Sequence, residues 1–409
     1  MKTQDAERLH IVVAGRRNSG KSSLVNLVTG QQVSLVSDVP GTTTDPVNKA
    51  VEIPGTGPCV FIDTAGFDDS GVLGEMRVGK TLDAIDRADI ALLVLRFDGH
   101  PDDSRSIMDD DDTRWYNELK SRRIPIIPTV NIFSDGDNSG LNSDTEEIRH
   151  FLKGRIEETP VFLNAVSGEG REELLAAIKM AVPDEYGNRS ITGSLVSPGE
   201  CVLLVMPQDT EAPKGRLILP QVQTIRELLD KDCTVICCKD SDFTLTLGRL
   251  AQPPSLIITD SQVFDKVWKL KPEKSRLTSF SILFAGYKGD ITIFREGAEK
   301  LDRLHPDSRI LIAEACTHVP AGEDIGRVKI PAILKKRYGN GLKIDIVSGN
   351  GFPVDLSEYD IVIHCGACMF NRRYVMNRIM AARARHVPVT NYGMVIAWAA
   401  GILGKVVFP

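Results

Sequence analysis

The chain has 409 residues, of which 42% are hydrophobic and 25% are charged, and its formal net charge is −6. This length predicts two or three domains. The acidic balance argues against nucleic-acid binding, which usually needs a basic excess, and no apolar run is long enough to cross a membrane. Without a secretory signal in its first residues, the chain is predicted to be cytoplasmic, where its eight cysteines would stay reduced.

The N-terminal part of the chain alternates apolar strands with helical segments. Apolar runs typical of buried parallel strands occupy residues 9–15, 59–66, 88–97 and 124–131. Residues 171–182 form an amphipathic helical pattern. This alternation predicts an α/β domain with a mostly parallel sheet over residues 8–183. The acidic run at residues 109–112 is predicted to be a solvated loop.

Two further α/β segments follow a turn-rich linker at residues 183–200. The first is small, and together with the linker it is predicted to form a domain over residues 184–270. The second is predicted to cover residues 271–409. Its apolar runs are residues 279–286, 308–316, 342–349 and 359–365. The fold class predicted from the sequence is therefore α/β throughout, in three domains.

The first motif that indicates chemistry is "GRRNSGKS" at residues 15–22. It fits Gly-x-x-x-x-Gly-Lys-Ser, follows a predicted strand and opens a predicted helix, as a phosphate-binding P-loop does. Gly15 and Gly20 let successive backbone N–H groups point at phosphate oxygens. Lys21 is predicted to reach the β- and γ-phosphates, and Ser22 to bind Mg²⁺.

Two companion motifs indicate hydrolysis of the bound nucleotide. In "DTAG" (63–66), Asp63 is predicted to hold the Mg²⁺ shell through water, and the Gly66 amide to contact the γ-phosphate. In "PGTTTD" (40–45), Thr43 is predicted to complete the Mg²⁺ sphere. The predicted catalytic residues are Lys21, Thr43, Asp63 and Gly66. The predicted nucleotide-binding set adds Asn18, Ser19, Gly20, Ser22, Ser23, Thr42, Asn131 and Asp135.

Two positions depart from the usual GTPase pattern. Phe67 stands where many P-loop GTPases have a Gln that orients the attacking water, so another device must stabilise the developing charge. The guanine-reading Asn-Lys-x-Asp is replaced by "NIFSD" (131–135). Asn131 is present, Ser134 replaces the Asp, and Asp135 lies one residue late. GTP is still the favoured nucleotide, with relaxed specificity for the base.

Residues 8–183 resemble the TrmE–Era group of translation-factor-like GTPases. "GRRNSGKSSLVN", "GTTTD" and "DTAG" carry the resemblance. It implies that K⁺ binds beside the phosphates, through the side chain of Asn18 and a loop at about residues 33–41, and supplies the positive charge that an arginine would otherwise give. Asn164 stands where the base-contacting loop of this group usually has Ser.

The second motif combines soft metal ligands from two distant segments. Cys316 and His318 lie in "EACTH", and His364, Cys365 and Cys368 lie in "HCGAC". Both segments follow predicted parallel strands, whose carboxyl ends are where open α/β sheets bind ligands. An iron–sulfur cluster is favoured, while Cys₃His zinc and unrelated buried residues remain alternatives. The remaining cysteines, predicted to pack as buried apolar residues, are Cys59, Cys201, Cys233, Cys237 and Cys238.

Together the two motifs resemble the HydF family of [FeFe]-hydrogenase maturation GTPases over the full chain. The resemblance implies that the middle domain dimerises the protein and that Cys316, Cys365 and Cys368 bind a [4Fe–4S] cluster, with less uniform roles for His318 and His364. It also implies a scaffold that receives a two-iron precursor from the radical-SAM maturases HydE and HydG and passes it to apo-hydrogenase HydA. The alternative is a zinc-stabilised GTPase acting in RNA modification or ribosome assembly.

Overall fold

The computed structural model describes most of the chain, which divides into two compact units. The described residues are 7–30, 47–64, 81–98, 107–133, 145–183, 186–187, 189–207, 217–315, 324–368 and 370–409. The units are Met1–Tyr186 and Gly187–Pro409. The division between them falls within the turn-rich segment that the sequence predicts as a linker.

The first unit contains a six-stranded sheet in the order β2-β3-β1-β4-β5-β6. The described strands are β1 (Leu9–Ala14), β2 (Val47–Ile53), β3 (Gly57–Asp63), β4 (Ile90–Phe97), β5 (Ile126–Ile132) and β6 (Val161–Leu163). The helices that the structure describes here include α1 (Lys21–Thr29), α2 (Asp110–Ser121), α3 (Thr145–Leu152) and α4 (Arg171–Ala181). The strands pair in parallel except β2, which is antiparallel to β3. The mostly parallel sheet predicted from the sequence is confirmed.

Strand β1 shows why its sequence is continuously apolar. All of its residues are buried. Val12 and Ala14 pack in one hydrophobic core, whereas Ile11 and Val13 pack in another. Because successive side chains of a strand point to opposite faces, the sheet has an apolar core on both sides. This arrangement places the carboxyl end of β1, and the loop after it, at one edge of the sheet.

The acidic run at residues 109–112 begins helix α2, so its prediction as a solvated loop is wrong. The Asp109 carboxylate caps the helix by accepting a hydrogen bond from the Asp112 backbone N–H at 2.9 Å. Asp112 is fully buried, and its Oδ1 accepts a hydrogen bond from the backbone N–H of Arg16 at 3.3 Å. Negative charge is favourable at a helix N-terminus, which explains the concentration of aspartates.

The second unit contains two four-stranded parallel sheets, in the orders β10-β9-β7-β8 and β12-β11-β13-β14. The strands are β7 (Cys201–Val205), β8 (Thr234–Cys238), β9 (Leu256–Thr259), β10 (Arg276–Ser279), β11 (Arg309–Glu314), β12 (Lys343–Ser348), β13 (Ile361–His364) and β14 (Val389–Asn391). The described helices are α5 (Leu219–Asp230), α6 (Phe243–Gly248), α7 (Phe264–Leu270), α8 (Phe280–Lys288), α9 (Ile291–Lys300), α10 (Ile330–Tyr338), α11 (Arg372–Ala384) and α12 (Tyr392–Ala399). A single hydrophobic core includes Leu203 and Ile257 from the first of these sheets and Ile312 and Ile363 from the second.

The apolar run at residues 279–286 differs from its predicted place in the third domain. Strand β10, which leads into this run, pairs with β9 and so belongs to the sheet β10-β9-β7-β8. It does so although it lies beyond the predicted domain boundary at residue 271. The run itself is helix α8, capped by the Ser279 side chain, which accepts a hydrogen bond from the Ile282 N–H. A short helix that is buried on most sides shows no clear period, so its sequence does not distinguish it from a strand.

No helix in the described segments is long and apolar enough to span a membrane.

The cysteines outside the two motifs differ in their surroundings. Cys59 and Cys233 are buried, as predicted, and burial raises the pKa of the Cys59 thiol to about 11. Cys237 is exposed and Cys238 is half-buried. The core packing predicted for Cys237 is wrong, because β8 is the edge strand of its sheet and the described residues leave the Cys237 side chain exposed.

Candidate functional site

The loop between β1 and α1 requires glycine at both of its ends. A Cβ atom on Gly15 would lie 2.4 Å from the backbone oxygen of Val94. Gly20 has φ +92°, and a Cβ atom there would lie 2.1 Å from Nδ2 of Asn131. Only glycine allows the backbone to approach its neighbours this closely, and only glycine adopts positive φ without strain. The loop therefore packs directly against β4 and β5.

Lys21 places a positive charge inside this loop. Its side chain is buried, and Nζ donates hydrogen bonds to the carbonyl oxygens of Gly15 at 2.8 Å and Arg16 at 2.7 Å. Helix α1 begins at Lys21, so its first backbone N–H groups and its positive dipole end lie at the same place. The combination fits a bound phosphate group.

Ser22 and Asp63 bring two oxygen ligands together at the carboxyl end of the sheet. The Ser22 hydroxyl donates a hydrogen bond to Asp63 Oδ2 at 2.6 Å. Burial raises the pKa of Asp63, and this effect exceeds the opposing effects of the Ser22 hydrogen bond and the Lys21 charge. A carboxylate that loses hydration in this way is stabilised by a nearby cation. The pair fits a Mg²⁺ site, because Mg²⁺ prefers hard oxygen ligands.

Asn131 connects the P-loop to the segment that follows β6. It is buried, its Nδ2 donates to the Ser19 carbonyl at 3.1 Å, and its Oδ1 accepts from the Ala165 N–H at 3.0 Å. Asn164 accepts hydrogen bonds from two backbone amides of the turn that follows it. In this geometry Asn131 positions two loops of the site, while its contact with a base stays a prediction.

Asn18 lies at the exposed tip of the P-loop, beside an arginine that the sequence reasoning missed. Asn18 has φ +60°, a left-handed conformation that asparagine tolerates better than most residues. Its carbonyl accepts a hydrogen bond from Arg96 Nη1 at 2.7 Å. The Arg96 guanidinium also pairs with Asp98 at 2.6 Å and lies over the Phe133 ring. The only sequence signal was one charge within the apolar run of β4.

Several predicted site residues lie outside the part of the chain that the structure describes. They are Thr42, Thr43, Gly66, Asp135, Cys316 and His318, together with Phe67, Ser134 and the predicted K⁺-binding loop at residues 33–41. Ser23 is described, and its side chain is exposed in the first turn of α1. The roles assigned to all of these residues stay predictions.

The strands that precede the two cysteine segments lie side by side. Strands β11 and β13 pair in parallel, with Ala313 opposite His364. Just beyond their ends, the Ala315 N–H donates to Cys365 Sγ at 3.0 Å, and the Ala367 N–H donates to the same sulfur at 3.4 Å. The segment that leads into residue 316 therefore meets the "HCGAC" loop at the carboxyl edge of the sheet.

His364 is oriented toward the protein interior. It is fully buried, its Nδ1 lies 2.8 Å from the Cys365 carbonyl oxygen, and its Nε2 lies 3.3 Å from Arg378 Nη1. A carbonyl only accepts and a guanidinium only donates, so Nδ1 carries the proton and Nε2 accepts. Burial and the Arg378 charge lower the pKa of His364 to about 4. Both nitrogens are thus engaged, which argues against the predicted role of His364 as a cluster ligand.

Arg378 on α11 links the ends of three neighbouring strands. Besides His364 at the end of β13, its guanidinium donates to the carbonyl oxygens of Glu314, at the end of β11, and Gly349, just after β12. Its face also lies over the rings of Phe352 and Tyr374. This role could not be predicted from the sequence, because a buried arginine in a charged helix has no distinctive local pattern.

The surroundings of Cys365 fit an anionic sulfur ligand. Cys365 is half-buried and Cys368 is exposed. Backbone N–H groups that donate hydrogen bonds to a ligand sulfur stabilise its negative charge and tune the reduction potential of iron–sulfur centres. Within the described ranges no three His, Cys, Asp or Glu side chains are grouped to hold a metal ion. Any complete ligand set at this edge therefore requires residues outside those ranges, where Cys316 and His318 lie.

The fold and the first site define a P-loop GTPase domain followed by two further α/β sheets. Residues 10–132 match the family described as 50S ribosome-binding GTPase. Residues 191–289 match the hydrogen maturase F dimerization domain, and residues 292–409 match the hydrogen maturase F tetramerization domain. These last two matches cover more than half of the chain, and the chain belongs to the hydrogen maturase F (HydF) family. Both descriptions support oligomerisation, as the resemblance implied.

Curated relatives resemble part of the chain. The tRNA modification GTPase MnmE of Nitrosomonas europaea is 34% identical over 173 residues, which cover 42% of this chain and 34% of that protein. GTPase Der of Kosmotoga olearia is 33% identical over 201 residues, which cover 47% of this chain and 42% of that protein. The chain thus spans less than half the length of these relatives.

Solved structures give a weaker likeness. A variant of Era from Aquifex aeolicus bound to GDP.AlF4- is 20% identical, with a TM-score of 0.36. The match covers 56% of this chain and 92% of that structure. At this level of identity the likeness concerns the fold only.

Proposed function

We propose that this chain is a GTPase and a scaffold in [FeFe]-hydrogenase maturation. It binds and hydrolyses GTP, holds a [4Fe–4S] cluster, receives a two-iron precursor from HydE and HydG, and transfers it to apo-hydrogenase HydA in the cytoplasm. The observation that carries the proposal is the 3.0 Å hydrogen bond from the Ala315 N–H to Cys365 Sγ. This hydrogen bond joins the two cysteine segments. It lies in a chain that matches the dimerization and tetramerization domains of hydrogen maturase F.

In the nucleotide site, the chain's own groups bind and orient the triphosphate. Lys21, which now bonds to two loop carbonyls, would bind the β- and γ-phosphate oxygens, and the Ser22 hydroxyl, which now bonds to Asp63, would be a ligand of Mg²⁺. Mg²⁺, when bound, neutralises charge on the phosphates. Asp63 would hold the Mg²⁺ shell through water, Thr43 would complete the Mg²⁺ sphere, and the Gly66 amide would contact the γ-phosphate.

In the second site, three thiolates would hold the cluster, and one of its irons would stay open to a replaceable ligand. The proposed ligands are Cys316, Cys365 and Cys368, because thiolates are the usual protein ligands of iron–sulfur clusters. His318 or an exchangeable molecule would bind the fourth iron. A scaffold must both bind its cargo and release it. A cluster closed by four cysteines would leave no iron for the cargo to bridge, so a replaceable fourth ligand suits this task.

The decisive experiment is anaerobic purification with metal and sulfide analysis. The proposal expects a brown protein containing iron and sulfide, and Cys316→Ala, Cys365→Ala and Cys368→Ala should each lose most of the iron. Cys237→Ala is the matched control, because Cys237 is an exposed cysteine outside the motif. A colourless protein with stoichiometric zinc would instead support the zinc-stabilised GTPase.

The source of positive charge during hydrolysis has two candidates, and one experiment separates them. If K⁺ binds at Asn18, hydrolysis should be much faster in K⁺ than in Na⁺, and Asn18→Ala should remove the difference. If Arg96 supplies the charge, Arg96→Met should slow hydrolysis equally in both salts. Equal rates for the unmodified protein in K⁺ and Na⁺ would refute K⁺ assistance.

The base preference needs its own measurement. A carboxylate that accepts hydrogen bonds from guanine discriminates strongly against other bases, and here Asp135 is the proposed substitute for the missing Asp at position 134. Competition of GTP against ATP for the site should favour GTP. ATP binding as tightly as GTP would contradict the assignment as a GTPase.

A further inference from the structure

Lys288, at the end of α8, has its charged group buried against the "HCGAC" loop. Its side chain is only 4% exposed. Nζ donates hydrogen bonds to the carbonyl oxygens of Ala367 at 3.0 Å, Cys368 at 2.9 Å and Phe370 at 2.7 Å. An ammonium has three N–H donors, so these three carbonyls satisfy it completely, which allows a lysine to be buried.

The loop that Lys288 contacts is strained. Ala367 has φ +47°, a conformation that residues other than glycine rarely adopt. Such a residue keeps this conformation only when its surroundings impose it. The Ala367 carbonyl is bonded to Lys288, and the Ala367 N–H points to Cys365 Sγ. Backbone with a residue in the left-handed region can gather N–H groups around an anion, as in many iron–sulfur sites.

We propose that Lys288 is a positioning residue that holds residues 365–368 and Phe370 in the conformation that presents Cys365 and Cys368. By bonding the loop's carbonyl oxygens, it directs them away from the sulfur atoms and leaves the N–H groups to face the anionic side. A second contact supports this arrangement, since the Arg372 guanidinium donates to the Gly289 carbonyl. That the loop binds a cluster rests on the proposed function, whereas the positioning itself does not.

Lys288 also couples two matched domains. It lies in the segment that matches the dimerization domain, residues 191–289, while the loop lies in the segment that matches the tetramerization domain, residues 292–409. A shift of α8 therefore changes the positions of three carbonyl groups in the cysteine loop. In this way, rearrangement of the dimerization domain alters how firmly the cysteines hold their ligand.

The test compares Lys288→Met, which keeps most of the unbranched side chain but removes its N–H donors, with Lys300→Met at the exposed end of α9. Under anaerobic, metal-free conditions, Lys288→Met should raise the rate of alkylation of Cys365 several-fold and speed amide hydrogen exchange across residues 365–371. Lys300→Met should leave both unchanged. After reconstitution, Lys288→Met should lose iron to a chelator about tenfold faster, as is typical when groups that support metal ligands are removed.

Unchanged alkylation and exchange in a folded Lys288→Met protein would overturn the proposal. If that variant does not fold, Lys288→Arg decides, because a planar guanidinium cannot direct three donors from one nitrogen, so alkylation should again accelerate. A wild-type rate would then overturn the proposal. If the unmodified protein binds no iron, the proposed function fails, yet alkylation and exchange still decide the role of Lys288.

Discussion

At the scale of single residues, the nucleotide site depends on neighbours that are distant in sequence. Gly20 is glycine because Asn131 occupies the space beside its Cα. Asp112 is buried because helix α2 packs its first turn against the P-loop, where the Arg16 N–H bonds to it. Both contacts join residues that lie about a hundred positions apart in the sequence.

Gly20→Ala should abolish nucleotide binding while the domain remains folded. The new methyl group would lie 2.1 Å from Asn131 Nδ2, so either the P-loop or Asn131 must move. The control is Gly30→Ala, at a position that also has positive φ, +64°, but where no atom of the described residues lies within 4 Å of the added Cβ. The control should lose about 1–2 kcal/mol of stability and keep its affinity. Titration with a fluorescent GTP analogue measures the affinity of each variant. Equal affinities of Gly20→Ala and Gly30→Ala would contradict the steric argument.

Asp112→Asn should reduce the dependence of stability on pH. Burial, followed by the negative charge of Asp109, raises the pKa of Asp112 from 3.8 to about 6, despite the nearby Arg16. The folded state therefore binds this proton more tightly than the unfolded state, so stability falls as pH rises from about 4 to about 6. Between pH 5 and pH 7 the loss of this proton lowers the free energy of unfolding by roughly 1–2 kcal/mol. The neutral asparagine does not titrate, so the Asp112→Asn protein avoids this loss.

The measurement is the thermal unfolding midpoint of both proteins at pH 5 and pH 7. Asp112→Asn should gain relative to the unmodified protein as the pH rises. A buried atom supports this expectation, because Asp112 Oδ2 receives no hydrogen bond from the described residues. A constant difference between the two proteins across this range would show that Asp112 does not titrate there.

At the scale of elements, helix α5 orders part of the predicted linker. The Glu227 carboxylate accepts hydrogen bonds from the Ser190 hydroxyl, the Ile191 N–H, and both the N–H and the hydroxyl of Thr192, at distances of 2.5–2.8 Å. Although burial alone would raise it, these hydrogen bonds lower the pKa of Glu227. The segment is therefore fixed to α5 although its composition is typical of a flexible linker.

Glu227→Gln should release this segment. An amide offers one acceptor oxygen where the carboxylate offers two, and its NH₂ group would face donors, so we expect a loss of about 2–3 kcal/mol. Thermal unfolding and faster proteolysis near residue 190 would report the change. Glu299→Gln is the control, because Glu299 is exposed and its ion pair among the described residues, with Arg295 on the same helix, is 3.6 Å long. Its cost should be below about 0.5 kcal/mol. Equal effects would refute the argument.

At the scale of the whole molecule, the two sites lie in different compact units. The phosphate-binding groups belong to Met1–Tyr186, whereas β11, β13 and the cysteine loop belong to Gly187–Pro409. The two sheets of the second unit share one core, so they are expected to respond together. The first unit has separate cores of its own.

Substitutions in one site should therefore leave ligand binding at the other intact. Lys21→Ala should lose GTP binding and retain its iron, because the phosphate contact and the thiolates belong to separately packed units. Cys365→Ala should lose iron and still bind GTP. Iron analysis and nucleotide titration on both variants provide the measurement. Loss of iron in a folded Lys21→Ala protein would show that nucleotide binding is required to hold the cluster.

The amino-acid sequence by itself determined the α/β class, the P-loop and the paired cysteine segments. These features are local: a run of apolar residues predicts a buried strand, and the spacing of Gly15, Gly20 and Lys21 is set within one turn. The two cysteine segments can meet only if the strands before them end side by side, and the structure pairs β11 with β13 in parallel. The family matches then confirmed the resemblance to the HydF family.

Only the tertiary structure decided which groups meet around these motifs. Lys288 donates a hydrogen bond to the cysteine loop, about eighty residues further along the sequence. Arg378, on the helix that follows this loop, donates a hydrogen bond to His364. The burial of Asp112 and the helical form of residues 280–288 were equally hidden. The physical reason is that burial and hydrogen-bond partners are properties of packing between distant elements. A local pattern of residue types specifies the element but not what lies against it.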